Sequence, residues 1–223
     1  MSLATAEVRK ERVVDRKAQR RQVTVDRVLR AAREILASDG PEGLSLRKLS
    51  AKAGLSPNTI YAHFDNQRAG IIGAVVADAL TDIGEIDDSE LGLFGPGPTP
   101  WEAAVEQYLA HPEFYRSISV LRSPEQPFTR ERRNMIKLGL GAQRLLAGGV
   151  SDGLLRRDTD LTWLAEHLAL LFRGVADSWA RHELDSAAFR RHVLYGVYSA
   201  LHVNATTAGR RRCATLLRAS TSS

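Results

Sequence analysis

From Val25 onward the apolar residues of this chain recur three and four positions apart, and no run of β-branched residues alternates with period two. A sheet has nothing to be built from, so the expected fold class is all-α. The first helical face reads Val25, Val28, Leu29, Ala32, Ile35 and Leu36. Asp39-Gly40-Pro41 should end it, because glycine takes a left-handed conformation freely and proline cannot continue the helix. Ser45 is placed to cap a short second helix whose inward face is Leu46, Leu49 and Ala53, with Gly54 at its end. Ser56-Pro57 restarts the chain, serine as N-cap and proline at the first helical position, and Ile60 and Phe64 are the apolar positions that follow.

A fourth helix is expected from about Gln67 to Ile86, buried through Ile71, Ile72, Val75, Val76, Ala79 and Ile83. The acidic, then glycine- and proline-rich stretch 87–100 reads as a loop. Amphipathic helices follow at about 100–110, 112–121 and 128–147, with breaks at His111-Pro112, Ser123 to Pro127 and Gly148-Gly149. Two longer helices, about 160–183 and 186–203, close the domain. The organisation expected is a basic N-terminal arm at 1–21, a head at 22–68, a helical body at 69–206 and a flexible basic tail at 207–223.

Charge separates these parts. Residues 1–68 carry 14 Lys and Arg against 8 Asp and Glu, whereas the remainder carries 17 against 18. All of the surplus positive charge lies in the first third, the footprint of polyanion binding or of a solvated basic tail. The longest apolar run, Ala69 to Ala77, falls well short of the roughly 20 residues of a membrane span. The charged start, MSLATAEVRKERVVDRKAQRR, lacks the apolar core of a secretory signal. With Cys213 as its one cysteine, the chain can form no intrachain disulfide and no zinc site needing two thiolates. A cytoplasmic location without membrane association is the expectation.

Two short helices about a glycine turn, with a longer helix in front, describe a helix-turn-helix over Leu44 to Phe64. Leu46, Leu49, Ala53, Leu55, Ile60 and Phe64 can all face the first helix, which leaves Asn58, Thr59, Tyr61 and His63 on the outer face of the third. An exposed helix of this size fits the major groove, where base edges carry a readable pattern. Arg47 can fork onto guanine or phosphate, and the amides following Ser45 and Ser56 suit phosphate oxygens.

At these residues the chain closely resembles the TetR family of transcriptional regulators, over about Val23 to Leu80: Asp39-Gly40, Gly43-Leu44-Ser45, Arg47-Lys48-Leu49, Ala53-Gly54-Leu55-Ser56, Thr59-Ile60-Tyr61 and His63-Phe64, then a long apolar helix. The resemblance implies a homodimer with DNA-binding heads, a ligand-sensing helical body and a pseudo-palindromic double-stranded operator. It places Ser45, Arg47, Ser56, Pro57, Asn58, Thr59, Tyr61 and His63 at DNA-contacting positions, with Tyr61 on a phosphate. It also implies, most often, a repressor. The family usually has a phosphate-holding lysine three residues after His-Phe. Here Gln67 stands there with Arg68 next, so that contact should weaken or shift to Arg68. In the arm, Arg9, Lys10, Arg12, Arg16, Lys17, Arg20 and Arg21 can follow phosphates or reach a minor groove. Glu7, Glu11 and Asp15 interleave with them, so a self-paired helical extension is equally compatible; Arg20 and Arg21 are expected near the DNA backbone.

The last two long helices are apolar on more than one side and must be buried on more than one side. Their expected dimer-forming residues are Leu168, Leu171, Val175 and Trp179 on the first and Val193, Val197 and Leu201 on the second, with Gly174 and Gly196 allowing close approach. Trp101, Tyr108, Phe114, Tyr115, Met135, Trp163, His167 and Phe172 are candidates to line a pocket for a small apolar or aromatic effector, although each singly suits a filled core.

Enzyme chemistry is not expected, and no cofactor or metal is implied. Gly149-Val150-Ser151-Asp152-Gly153 matches G-x-S-x-G but lacks the preceding strand that a nucleophile elbow needs. Gly92, Gly95 and Gly97 are interrupted by prolines, and the six histidines include no close ligand pair. The rival reading is a helical small-molecule-binding protein without specific operator recognition.

Overall fold

The computed structural model describes the backbone of residues 3–64, 67–84, 93–94, 98–121 and 142–222, and of these the side chains of 18–64, 68–79, 93–94, 98–121 and 142–220. Among the described residues the regular structure is helical: α1 (Leu3–Gly43), α2 (Leu46–Ala53), α3 (Pro57–Tyr61), α4 (Gln67–Gly84), α5 (Pro100–Ala110), α6 (Pro112–Leu121), α7 (142–151), α8 (Leu161–Ala180), α9 (Ser186–Asn204) and α10 (Thr207–Ser222). One isolated bridge pairs Leu155 with Ala205. None of these helices is long and apolar enough to cross a membrane. The chain divides into two compact units, Met1–Val75 and Val76–Ser223, and α4 carries the chain from one into the other. The expected boundary after residue 68 falls a few residues earlier, since α4 has no break in its sequence to mark it.

In the first unit, α1 leaves the helical conformation at Gly40 (φ 69°), where the Asp39-Gly40-Pro41 stop is expected. Its buried stripe, Val28 to Leu36, packs on α2, whose Leu49 and Ala53 are buried. Ser45 and Ser56 cap α2 and α3, accepting from the Lys48 and Thr59 amides. The helix begins far earlier than Val25: the backbone is helical back to Leu3, so residues 3–21 continue α1.

In the second unit an aromatic core joins α5, α6, α8 and α9. Tyr108 stacks on Tyr115 (4.2 Å between centroids) and meets Phe172 edge-on (5.2 Å), while Trp179 stacks on Phe189 (5.1 Å). Arg116 lies over the Trp179 ring (4.2 Å), donates to the Trp179 carbonyl and bonds His182 Nδ1, so one guanidinium caps the end of α8 and closes the core.

Two sequence expectations are corrected here. Gly148-Gly149 does not break α7, which continues to Ser151 and ends before Gly153 (φ 68°). A Cβ on Gly149 would collide with Leu93, so that glycine serves close packing inside a helix. Residues 207–222 form α10 rather than a flexible tail. Thr206 ties its start to the Gly153 and Leu154 carbonyls, and Cys213 is fully buried, which pushes its thiol up to about 11. Arginine-rich composition suggested solvation, but Gly209, Cys213 and Ser220 give α10 a small-residue face that needs no bulky apolar stripe to be buried.

Candidate nucleic-acid interface

The head holds its third helix by the inner face and leaves the outer face free. Ile60 is fully buried and Phe64 nearly so, while Ser56, Pro57 and Asn58 are exposed and Thr59 and Tyr61 half-buried. The Ser56 hydroxyl is already engaged with the Thr59 amide (3.1 Å) and the Thr59 hydroxyl (2.8 Å), so these two side chains set where the helix begins. Asn58 and Tyr61 are then the polar side chains offered outward. His63 lies beyond the end of α3 and is half-buried, and its buried Nδ1 has no hydrogen-bond partner among the described residues. It does not share the exposure of Asn58, because period alone cannot show that so short a helix has stopped by Ala62.

On α2 the cations divide into two kinds. Lys48 pairs with Asp39 (2.8 Å) and Lys52 with Glu34 (2.9 Å), both clamping α2 along α1. The Lys48 hydrogen bond, with one from Ser38, holds the Asp39 carboxyl below its ordinary range. Arg47, beside them, is exposed and in no ion pair among the described residues. Ser45 is exposed with its oxygen accepting from the Lys48 amide, and Arg68 is exposed in the first turn of α4. Gln67 begins α4, and its side chain lies outside those described.

Sequence reasoning missed Arg27. Its Nη2 donates to the Ala53 carbonyl (2.7 Å) and fastens the turn between α2 and α3 to α1. That turn depends on Gly54, which sits at φ 62°, ψ 39°. An added Cβ would stand 3.1 Å from the Arg27 guanidinium. Gly54→Ala is therefore expected to destabilise the head by about 1–2 kcal/mol, the cost of a left-handed alanine, read as a lower denaturation midpoint at unchanged slope. An unshifted midpoint would show that the turn tolerates a side chain.

The effector candidates do not gather in one place. Tyr108, Phe114, Tyr115 and Phe172 meet in the aromatic core, with Tyr115 edge-on to Phe114 at 5.1 Å. Trp101 is buried on α5. Trp163 and His167 stack on each other (5.1 Å) on the exposed side of α8, Trp163 being 59% exposed. Met135 lies outside the described residues.

The expected dimer residues differ in their surroundings. Leu168, Trp179, Val193, Val197 and Leu201 are buried in the chain's own core, which leaves them no surface for a partner. Leu171 and Val175 are half-buried, and Leu171 fills the space that a Cβ on Gly196 would enter (2.6 Å), so Gly196 brings α8 and α9 together within one chain. The outward apolar residues are others: Leu170 (59% exposed) follows Trp163 and His167 along α8, ahead of exposed Gly174, and Tyr195 (53%) and Val203 (66%) stand on α9. Two-sided hydrophobicity was legible; which side faces inward was not.

Ser151, at the centre of the G-x-S-x-G match, ends α7 and donates to the Ala147 carbonyl (3.0 Å), with no strand before it. Among the described residues no three His, Cys, Asp or Glu side chains group as a metal site.

Residues 28–69 match the family model of bacterial regulatory proteins, tetR family. No curated protein matches this sequence. Solved structures share the fold. SmeT, the repressor of the Stenotrophomonas maltophilia multidrug efflux pump SmeDEF, is 19% identical with a TM-score of 0.58, over 83% of this chain and 92% of its own. A TetR-family transcriptional regulator from Agrobacterium tumefaciens is 19% identical with a TM-score of 0.56, over 83% and 100%. A gamma-butyrolactone receptor, an ArpA-like protein, is 17% identical with a TM-score of 0.52, over 92% and 100%.

Proposed function

We propose that this chain, whose residues 28–69 match the tetR regulatory family model and whose fold is shared by solved structures of such regulators, is a homodimeric repressor of transcription. It reads a pseudo-palindromic operator and leaves it when a small apolar or aromatic effector binds the body. The observation that carries this reading is the outer side of the head. Exposed Asn58, half-buried Tyr61 and exposed Arg47 sit on elements whose inner faces are fixed by Ile60, Leu49 and the Arg27–Ala53 bond. Side chains held this way have the shape and chemistry to meet base edges and phosphates with little ordering cost.

Dimerisation is assigned to the outward stripe of Trp163, Leu170 and Gly174 with Tyr195 and Val203, since a two-fold axis lets one apolar patch cover its own copy. Two heads then read half-sites at a fixed spacing. The effector acts by binding the DNA-free conformation more tightly; by reciprocity, operator DNA must weaken effector binding by the same factor. That SmeT is a repressor, and that another fold relative is a gamma-butyrolactone receptor, supports both halves of the reading.

Selection of bound duplexes from a random pool, followed by a salt titration of the enriched sequence, tests it. The expected result is an inverted repeat bound with a steep salt dependence. A pool that enriches no sequence would leave the rival, a helical small-molecule binder without operator recognition.

A further inference from the structure

Where its side chains are described, the stretch of α1 ahead of the head is exposed. Residues 18–23 are all exposed, Val23 included, and the buried stripe of α1 begins only at Val28. At 1.5 Å per residue, the helical backbone from Leu3 to Val23 spans about 30 Å ahead of that buried stripe. Its composition also argues against a partner helix. No two of its large apolar residues, Leu3, Val8, Val13 and Val14, are three or four residues apart, so they form no stripe of the kind that a coiled coil needs.

Its charges follow a different rule. Glu7, Glu11 and Asp15 recur four apart, and at helical spacing they can be matched only with Lys10 and Arg12. Arg9, Arg16, Lys17, Arg20 and Arg21 have no acidic residue three or four positions away. Instead Arg12, Arg16 and Arg20 succeed one another at four-residue steps, as do Lys17 and Arg21, an arrangement in which like charges repel along the helix. A row of cations on an isolated helix is relieved when a row of anions lies beside it, and duplex DNA offers one with regular spacing.

The place where this helix leaves the head selects the same ligand. α2 lies against α1 with Lys48 at Asp39 and Lys52 at Glu34, so its C-terminal end comes to Arg27, which holds the Ala53 carbonyl. Ser56, three residues on, starts α3. The exposed cationic stretch therefore begins within about two turns of Arg27, near the origin of the helix that faces the operator. We propose that residues 3–21 are a second DNA-binding element, a cationic helix that follows the phosphate backbone just outside each half-site. This rests on the operator-binding reading, but concerns DNA that the recognition helix does not touch. It contributes affinity and footprint length rather than base discrimination.

The test is a five-fold variant, R9Q/R16Q/K17Q/R20Q/R21Q, in which glutamine keeps helix propensity while removing charge. The probe is the duplex enriched by the parent from a random pool, made once with the selected bases alone and once with about ten further base pairs on each side, roughly the reach of the helix at 3.4 Å per base pair. The parent should bind the longer duplex more tightly, and the variant should bind both alike. The variant's log–log salt slope should be shallower by about four per chain, at about 0.9 for each phosphate that the arm no longer neutralises. At physiological salt its affinity for the long duplex should fall at least about 100-fold, with the inverted repeat still preferred. An unchanged slope, or a parent indifferent to duplex length, overturns the proposal. So does a variant that loses its dimeric state in sedimentation, which would make the helix a self-association element. Should the parent enrich no sequence, the operator reading itself falls. The salt series on random-sequence duplex then still decides the arm, with equal slopes for parent and variant overturning it.

Discussion

Arg47→Ala should reduce binding of the selected operator by about two to four orders of magnitude and leave fold and dimer untouched. Loss of a base-reading arginine costs about 1–3 kcal/mol per copy, and a two-fold complex loses it twice. The substitution is clean because the arginine is exposed and outside the ion pairs that clamp α2 to α1; those belong to Lys48 and Lys52. Lys48→Ala should accordingly separate from it, lowering the stability of the head without relaxing preference for the operator. Tyr61→Ala should weaken every sequence by a similar factor, as expected for a phosphate contact. The measurement is a competition titration of each variant against operator and random duplex, with far-UV circular dichroism and sedimentation as controls. Parental operator affinity in Arg47→Ala would mean that α2 does not reach the bases.

The contrast among these neighbours shows what the sequence could and could not reveal. Ser45, Gly54, Ser56 and Pro57 stand at helix ends, where local chemistry decides conformation, and the structure puts the ends there. Leu49, Ile60 and Phe64 were legible as one face because two short helices around a fixed turn leave few alternatives. The Arg27–Ala53 bond was not legible: 26 residues separate the partners, and a side chain seeking a carbonyl at a helix end leaves no periodic trace. The surroundings of His63 were illegible for a related reason, since a helical period carries no sign that α3 ends before it. In the body, Tyr108, Tyr115 and Phe172, read as candidate pocket residues, pack against one another with Trp179 and Phe189, and Trp163 and His167 stand outside that cluster. Aromatic residues report a need for burial, not an address. The same limit explains α10, where small residues made a buried face that hydrophobicity did not announce.

The exchange of dimer residues leads to the second large effect. Leu170 and Leu168 are two positions apart on α8, and the structure gives them opposite surroundings: one 59% exposed, the other fully buried in the chain. Leu170→Asp should therefore leave a folded chain that sediments as a monomer, because two-fold symmetry would bury two unpaired carboxylates in one apolar interface. At a few kcal/mol for each buried charge, the dissociation constant of the dimer should rise by at least about 10³-fold. Operator binding should fall with it, since the second head no longer arrives at the effective concentration that the first provides. Leu168→Asp should instead fail to fold, or show a collapsed thermal transition, at any protein concentration. Sedimentation velocity across a range of concentrations, with circular dichroism on the same samples, distinguishes the two. A dimeric Leu170→Asp would remove the outward stripe from the interface. A folded, monomeric Leu168→Asp would return the interface to the residues that periodicity alone had chosen, and the packing of α8 on α9 within one chain would then need another description.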